Sequence, residues 1–198
     1  MTKLKFLFDY GSPTTYLAWK RLPGLLERSG AALEPVPILL GAVFKATGNA
    51  SPAMIPAKAR WMFEDMALWA KVAGTTLAAN PHFPVNTTRL MRGAVLAIDR
   101  GEFDAYSSAM FDGMWQDARD MGDATVVGQV LESAGLDPAA YAAAAEDTAI
   151  KDRLRASTEA AVAAGVFGAP SFFVGDRLFF GQDRMDFVEA ALKGDLRA

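Results

Sequence analysis

The apolar residues of this chain repeat with two different periods, and the order of those periods restricts the fold more than any other feature. Leu4-Lys5-Phe6-Leu7-Phe8 is a short apolar run of roughly period 2, the pattern of a buried strand. Asp9-Tyr10-Gly11 breaks it. Ser12-Pro13 then reads as a helix start, a capping hydroxyl followed by proline at the first helical position. Tyr16, Leu17 and Leu22 follow at helical spacing, and Pro23-Gly24 is expected to kink or end that helix. Leu33 to Leu40 is a second extended run, and Pro35 and Pro37 restrict it to a partly edge-like strand. Residues 1–40 thus spell strand, helix, strand, a βαβ unit.

The period then turns helical. Lys45 and Asn49 fall in a Gly- and Pro-rich loop, and Pro56 opens a helix with Met62, Met66, Trp69 and Ala73 as its apolar stripe, ended by Gly74. Asn80 to Asn86 is a proline-punctuated loop. Helices follow through Leu90–Ile98 and Phe103–Met114. A shorter one is capped by Asp123 or Thr125, and an alanine-rich one starts at Asp137-Pro138. A last helix of this region runs through Ile150, Leu154 and Ala161, with Gly165 past its end. Strand character returns at Pro170–Val174. Gly175-Asp176 turns the chain, Arg177–Phe180 pairs back, and Asp183 starts a helix carrying Met185, Val188 and Leu192. The ends therefore give βαβ and ββα around an all-helical middle. That is an α/β protein on the thioredoxin-like βαβ/ββα plan, in residues 1–40 and 165–198, with a large all-helical insertion in residues 41–164.

Composition narrows the chemistry. Apolar residues are 52% and charged residues 22%, enough for a buried core. With a formal net charge of -3 and no basic run, nucleic acid is not an expected partner. No apolar run approaches the roughly 20 residues of a membrane span. Met1-Thr2-Lys3 leads to Asp9 too soon for a signal peptide, so a cytoplasmic protein is expected. There is no cysteine, which excludes disulfides, thiolate metal sites and a cysteine nucleophile. His82 is the single histidine, so no His-rich metal site is expected, and no G-x-S-x-G elbow accompanies Ser12. Any thiol chemistry needs a thiol carried by a ligand.

Ser12 stands where a strand's carboxyl end passes into a helix, the edge of an α/β sheet where ligands bind. The free N–H groups and positive dipole end there would stabilise a thiolate, and the hydroxyl would donate to it. The plainer alternative is a capping serine. Ala169-Pro170, opening a strand, is either an ordinary trans bond or a cis bond that turns the Ala169 backbone toward Ser12. Gln182 and Asp183 at the mouth of the last helix fit an α-amino and α-carboxylate group, or Asp183 is simply an N-cap. Lys58 and Asp65 share a helix face and are either a substrate-side pair or a surface pair. Trp61, Trp69, Phe83 and Trp115 line a pocket or fill core. His82 has no assigned role.

Five motifs recur in order: Phe8-Asp9-Tyr10-Gly11-Ser12-Pro13, Gly41 to Asn49, Pro56-Ala57-Lys58-Ala59-Arg60, Phe167-Gly168-Ala169-Pro170-Ser171-Phe172, and Phe180-Gly181-Gln182-Asp183-Arg184. Together they resemble the 2-hydroxychromene-2-carboxylate isomerase family, a thioredoxin-like branch related to kappa-class glutathione transferases. His82 to Asn86 is similar to the isomerase branch. The resemblance implies that Ser12 replaces the first cysteine of a C-x-x-C motif and activates the thiol of bound glutathione. It implies that Ala169, before a cis Pro170, pairs with the cysteinyl part of the tripeptide, and that Gln182 and Asp183 hold its γ-glutamyl end. Asn49, Lys58 and Asp65 match glutathione contacts, and Lys45 and Asn49 match substrate contacts. The implied activity is a glutathione-dependent interconversion of 2-hydroxychromene-2-carboxylate and trans-o-hydroxybenzylidenepyruvate by reversible thiolate addition, in aromatic hydrocarbon catabolism, by a homodimer. A kappa-class-like glutathione transferase shares nearly all these motifs. A non-catalytic thioredoxin-like binding protein is the remaining alternative.

Overall fold

The computed structural model describes residues 2–196; Met1, Arg197 and Ala198, at the outer bounds of the expected domain, lie outside them. Strand β1 (Lys3–Phe8) passes into helix α1 (Pro13–Ser29) and returns as β2 (Ala32–Pro37). Helices α2 (Leu40–Thr47), α3 (Pro56–Val72), α4 (Thr88–Arg100), α5 (Phe103–Trp115), α6 (Ala124–Ser133), α7 (Pro138–Glu146) and α8 (Thr148–Ala163) follow. The chain closes with β3 (Ser171–Val174), β4 (Arg177–Phe180), a single 3₁₀ turn at Gln182–Arg184 and α9 (Met185–Lys193). The sheet order is β2-β1-β3-β4, with β1 parallel to β2 and antiparallel to β3, and β4 antiparallel to β3. This is the thioredoxin-like α/β fold with a helical insertion. β2 is an edge strand, which accommodates the two N–H groups that Pro35 and Pro37 lack.

The alternation along β1 builds two cores. Leu4, Phe6 and Phe8 face one side, where they meet α1, α9 and Phe172 of β3. The insertion shares this core. Phe8 meets Phe103 of α5 edge-on at 5.5 Å, and Tyr10 meets Phe111 at 4.7 Å. Leu7 faces the other side and packs with Ile38, Val43, and Ala161 of α8. Ser157 on α8 also donates to Pro37 O at 2.6 Å. Thus α8, read above as insertion, covers the second face of the sheet.

Three local expectations are corrected. Pro23 does not end α1, which runs on to a left-handed Gly30. The proline lies on the exposed side, while Leu22 and Leu25 stay buried and hold the helix on the sheet. Residues 40–47, read as strand end and loop, form α2, so Lys45 sits on a helix. The reason is capping from a distance. Leu39 N donates to Thr158 Oγ1 at 3.0 Å and Leu40 N to Asp9 Oδ2 at 2.8 Å. Asp183 does not cap the last helix: it lies in the 3₁₀ turn, and its carboxylate pairs with Arg184 at 2.8 Å.

Candidate active site

The pairing of β1 with β3 assembles the site. Leu7 lies opposite Ser171, so the segment entering β3 falls beside the turn leaving β1. Ser12 is the N-cap of α1, with extended φ −98° and ψ 115°, and its Oγ accepts from Thr15 N at 3.1 Å. The Ala169–Pro170 peptide is cis. Ser12 Oγ donates to Ala169 O at 3.1 Å. Thr14 adds a second hydroxyl, 3.0 Å from Ser12 Oγ and 3.4 Å from Ala169 O. The buried Thr15 Oγ1 has no partner among the described residues.

Asp9 frames this turn from below. Only 3% exposed, it accepts from Gly11 N at 2.9 Å, Thr87 Oγ1 at 2.6 Å and Leu40 N at 2.8 Å. Burial pushes its carboxyl above the ordinary carboxylate value, and the three hydrogen bonds pull the other way.

A cleft of about 1000 Å³ opens above Ser12. Its apolar wall includes Phe44, Met54, Met62, Phe83, Trp115 and Phe180. Among the described residues, Lys58 is the one cation in the lining. Of the residues singled out from sequence, Ser12, Asn49, Lys58 and Ala169 meet in this cleft, with Pro170 adjoining. Asn49 bridges its rim, donating from Nδ2 to Phe167 O at 2.8 Å. Lys45, Asp65, Gln182 and Asp183 do not line it. Lys45 is exposed near the end of α2, and Asp65 lies seven residues on from Lys58 along α3. Gln182 is buried against Arg21. Phe83 and Trp115 pack together in the wall at 5.5 Å, whereas Trp61 is 65% exposed and Trp69 lies under Arg21. His82 is at the surface, 3.4 Å from Asp120.

Sequence reasoning missed Asp9, Thr14 and Thr87. Asp9-Tyr10-Gly11 carries a readable signal, an aspartate that bonds the N–H two residues on. Thr14 and Thr87 carry none.

A four-stranded sheet of this order, with a cis proline facing the N-terminus of the first helix, defines a thioredoxin-like protein. The DSBA-like thioredoxin domain model matches residues 3–193. A 2-hydroxychromene-2-carboxylate isomerase of Sphingobium xenophagum is 32% identical over 97% of this chain and 99% of its own. A solved 2-hydroxychromene-2-carboxylate isomerase superposes with a TM-score of 0.86 at 28% identity, over 99% of this chain and 100% of that one. Glutathione S-transferase kappa 1 of Caenorhabditis elegans is 26% identical over 98% of this chain and 92% of its own. The chain belongs to the DSBA-like thioredoxin domain family and, within it, to the 2-hydroxychromene-2-carboxylate isomerase family. Among the described residues no helix is long and apolar enough to cross a membrane.

Proposed function

We propose that this chain is a glutathione-dependent isomerase that interconverts 2-hydroxychromene-2-carboxylate and trans-o-hydroxybenzylidenepyruvate by reversible thiolate addition. The observation that carries the reading is Ser12. Its hydroxyl sits at the start of a 17-residue helix, 3.1 Å from Ala169 O, at the floor of a cleft with one cation and aromatic walls. A volume of about 1000 Å³ suits glutathione and a bicyclic substrate together. The names and coverage of the relatives support the same reading.

The donors and acceptors fit glutathione. Ala169 O accepts from the Ser12 and Thr14 hydroxyls at the cleft floor, and a ligand peptide N–H would take the place of one of them. In this reading Ala169 and Pro170 hold the cysteinyl part, Asn49 and Lys58 contact the tripeptide from the insertion side, and Gln182 and Asp183 hold the γ-glutamyl end. Asn49 and Lys58 also face the substrate. Lys45 on the substrate side and Asp65 on the glutathione side complete the set, and like Gln182 and Asp183 they lie outside the cleft lining. When bound, glutathione supplies the thiolate that adds to the conjugated system and leaves again.

The chain's own residues do the rest. A ligand N–H that takes Ala169 O releases the Ser12 hydrogen, which then donates to the sulfur. The dipole of α1 favours the anion at its N-terminus and lowers the thiol pKa. Lys58 neutralises the substrate carboxylate and supports the enolate-like charge that develops. Phe44, Met62, Phe83 and Trp115 exclude water, which strengthens both effects. A cytoplasmic setting, where glutathione is the prevailing thiol, and a homodimer complete the reading.

The kappa-class relatives favour a second reading, a transferase that releases the conjugate. Calorimetric titration of glutathione, followed by a glutathione mass balance during turnover of a hydroxychromene carboxylate, separates the two. Turnover without loss of glutathione is the expected result, and Ser12→Ala is expected to lower kcat by about 10²-fold, the worth of one donor to a developing anion. Stoichiometric loss of glutathione would identify the transferase. Absence of binding at millimolar glutathione would overturn both.

A further inference from the structure

Arg21 is a charged side chain taken largely out of water. It projects from α1, is 17% exposed, and lies with its guanidinium carbon 4.9 Å from the centre of the Trp69 ring. Nη1 donates to Gln182 O at 2.7 Å and to Gln182 Oε1 at 3.1 Å. Nη2 lies 3.5 Å from the exposed Asp186 carboxylate. Burial draws the Arg21 pKa down and Asp186 opposes it, so the cation is held at some cost. The isomerisation proposed above gives that cation no task.

A guanidinium only donates, and a carboxamide has one accepting and one donating end. Facing Arg21, Gln182 presents its oxygen, so its NH₂ group points the other way. Among the described residues that Nε2 has no acceptor, and the Gln182 side chain is held in a buried position, 4% exposed. The turn that carries Gln182 is fixed to the active site: Gly181 N donates to Pro170 O at 3.0 Å, and the neighbouring Ala169 O accepts from Ser12. The hydrogen bonds thus run from Ser12 through 169–170 and 181–182 to Arg21, and back into the helix that Ser12 caps.

We propose that Arg21 is a positioning residue: it locks the Gln182 carboxamide with its NH₂ group outward, as the donor for the α-carboxylate of the ligand's γ-glutamyl end. This rests on the glutathione reading above.

The test is calorimetric titration of glutathione and of cysteinylglycine, which lacks the γ-glutamyl residue, into wild type, Arg21→Met, Arg21→Lys and Gln182→Glu, with kcat and KM for glutathione beside them. Gln182→Glu keeps an acceptor for Arg21, so its melting midpoint should match wild type while it loses about ten-fold or more in glutathione affinity, the worth of one charge-assisted hydrogen bond. Arg21→Met frees the amide to flip and should raise KM for glutathione about five- to ten-fold with kcat little changed, and Arg21→Lys should fall between. Affinity for cysteinylglycine should not move in any variant. Equal weakening for both ligands would make Arg21 merely structural and overturn the inference. So would unaltered glutathione affinity in Gln182→Glu or in the lysine variant. Failure of wild type to bind glutathione would overturn the reading beneath it, and the inference with it.

Discussion

Asp9 satisfies three donors from segments far apart in the chain: its own turn, Leu40 at the start of α2, and Thr87 before α4. One buried carboxylate therefore sets the spacing of the walls around Ser12. Asp9→Asn retains the shape but turns an NH₂ group toward at least one of those donors. It is expected to cost about 1–3 kcal/mol, measured as a lower denaturation midpoint with an unchanged m-value. Thr87→Val removes a donor instead of adding a conflict and should cost less. Ser12 differs in kind. Its cap is local, to Thr15 N three residues on, so both its position and its residue type are visible in sequence. Two of the three partners of Asp9 lie 31 and 78 residues away, and no local pattern encodes those two.

Helix α9 is fastened to α1 by Glu189. Arg28 Nη2 lies 2.7 Å from its carboxylate, and Lys193, one turn on, lies 2.6 Å away. Arg28 and then Lys193 hold the Glu189 carboxyl down at about 2, from an ordinary 4.5. A depressed carboxyl contributes stability that is fully present above the unfolded value and is lost as pH falls through the folded one. Wild type should therefore lose stability between about pH 4.5 and 2, and Glu189→Gln should show a shallower slope in that window by thermal denaturation. High salt should flatten the wild-type slope, because the pair is near the surface. At this same scale α2 was illegible. Its cap is supplied by Asp9 and Thr158, while its own N-cap position, Leu39, offers no side-chain acceptor. The continuation of α1 through Pro23 was illegible for a related reason, since the burial of Leu22 and Leu25 outweighs the local cost of proline.

At the scale of the whole molecule, α3 is apolar on two sides. Met66 and Ala70 are buried, whereas Trp61, Leu68 and Val72 are 65%, 61% and 68% exposed along one stripe. A surface of that kind suits the proposed homodimer. Sedimentation of the wild type should give a dimer, and Leu68→Glu, at an exposed position, should shift it toward monomer without lowering the melting midpoint of the monomer itself. The strand, helix and turn order was legible in the sequence because period, caps and turn residues are local chemistry: Ser12-Pro13, Asp137-Pro138 and Gly175-Asp176 each declare their element. The absence of cysteine likewise settled that any reactive thiol is not the protein's own. Only the tertiary structure decided which residues share the cleft. It brought Lys58, Asn49 and Ala169 to Ser12, left Lys45 and Asp65 outside, and turned Gln182 toward Arg21. The physical reason is that a cap or a turn is fixed by neighbours within a few residues, whereas a cleft is fixed by the packing of Phe8, Tyr10 and Trp19 against Phe103 and Phe111, contacts that no stretch of sequence contains by itself.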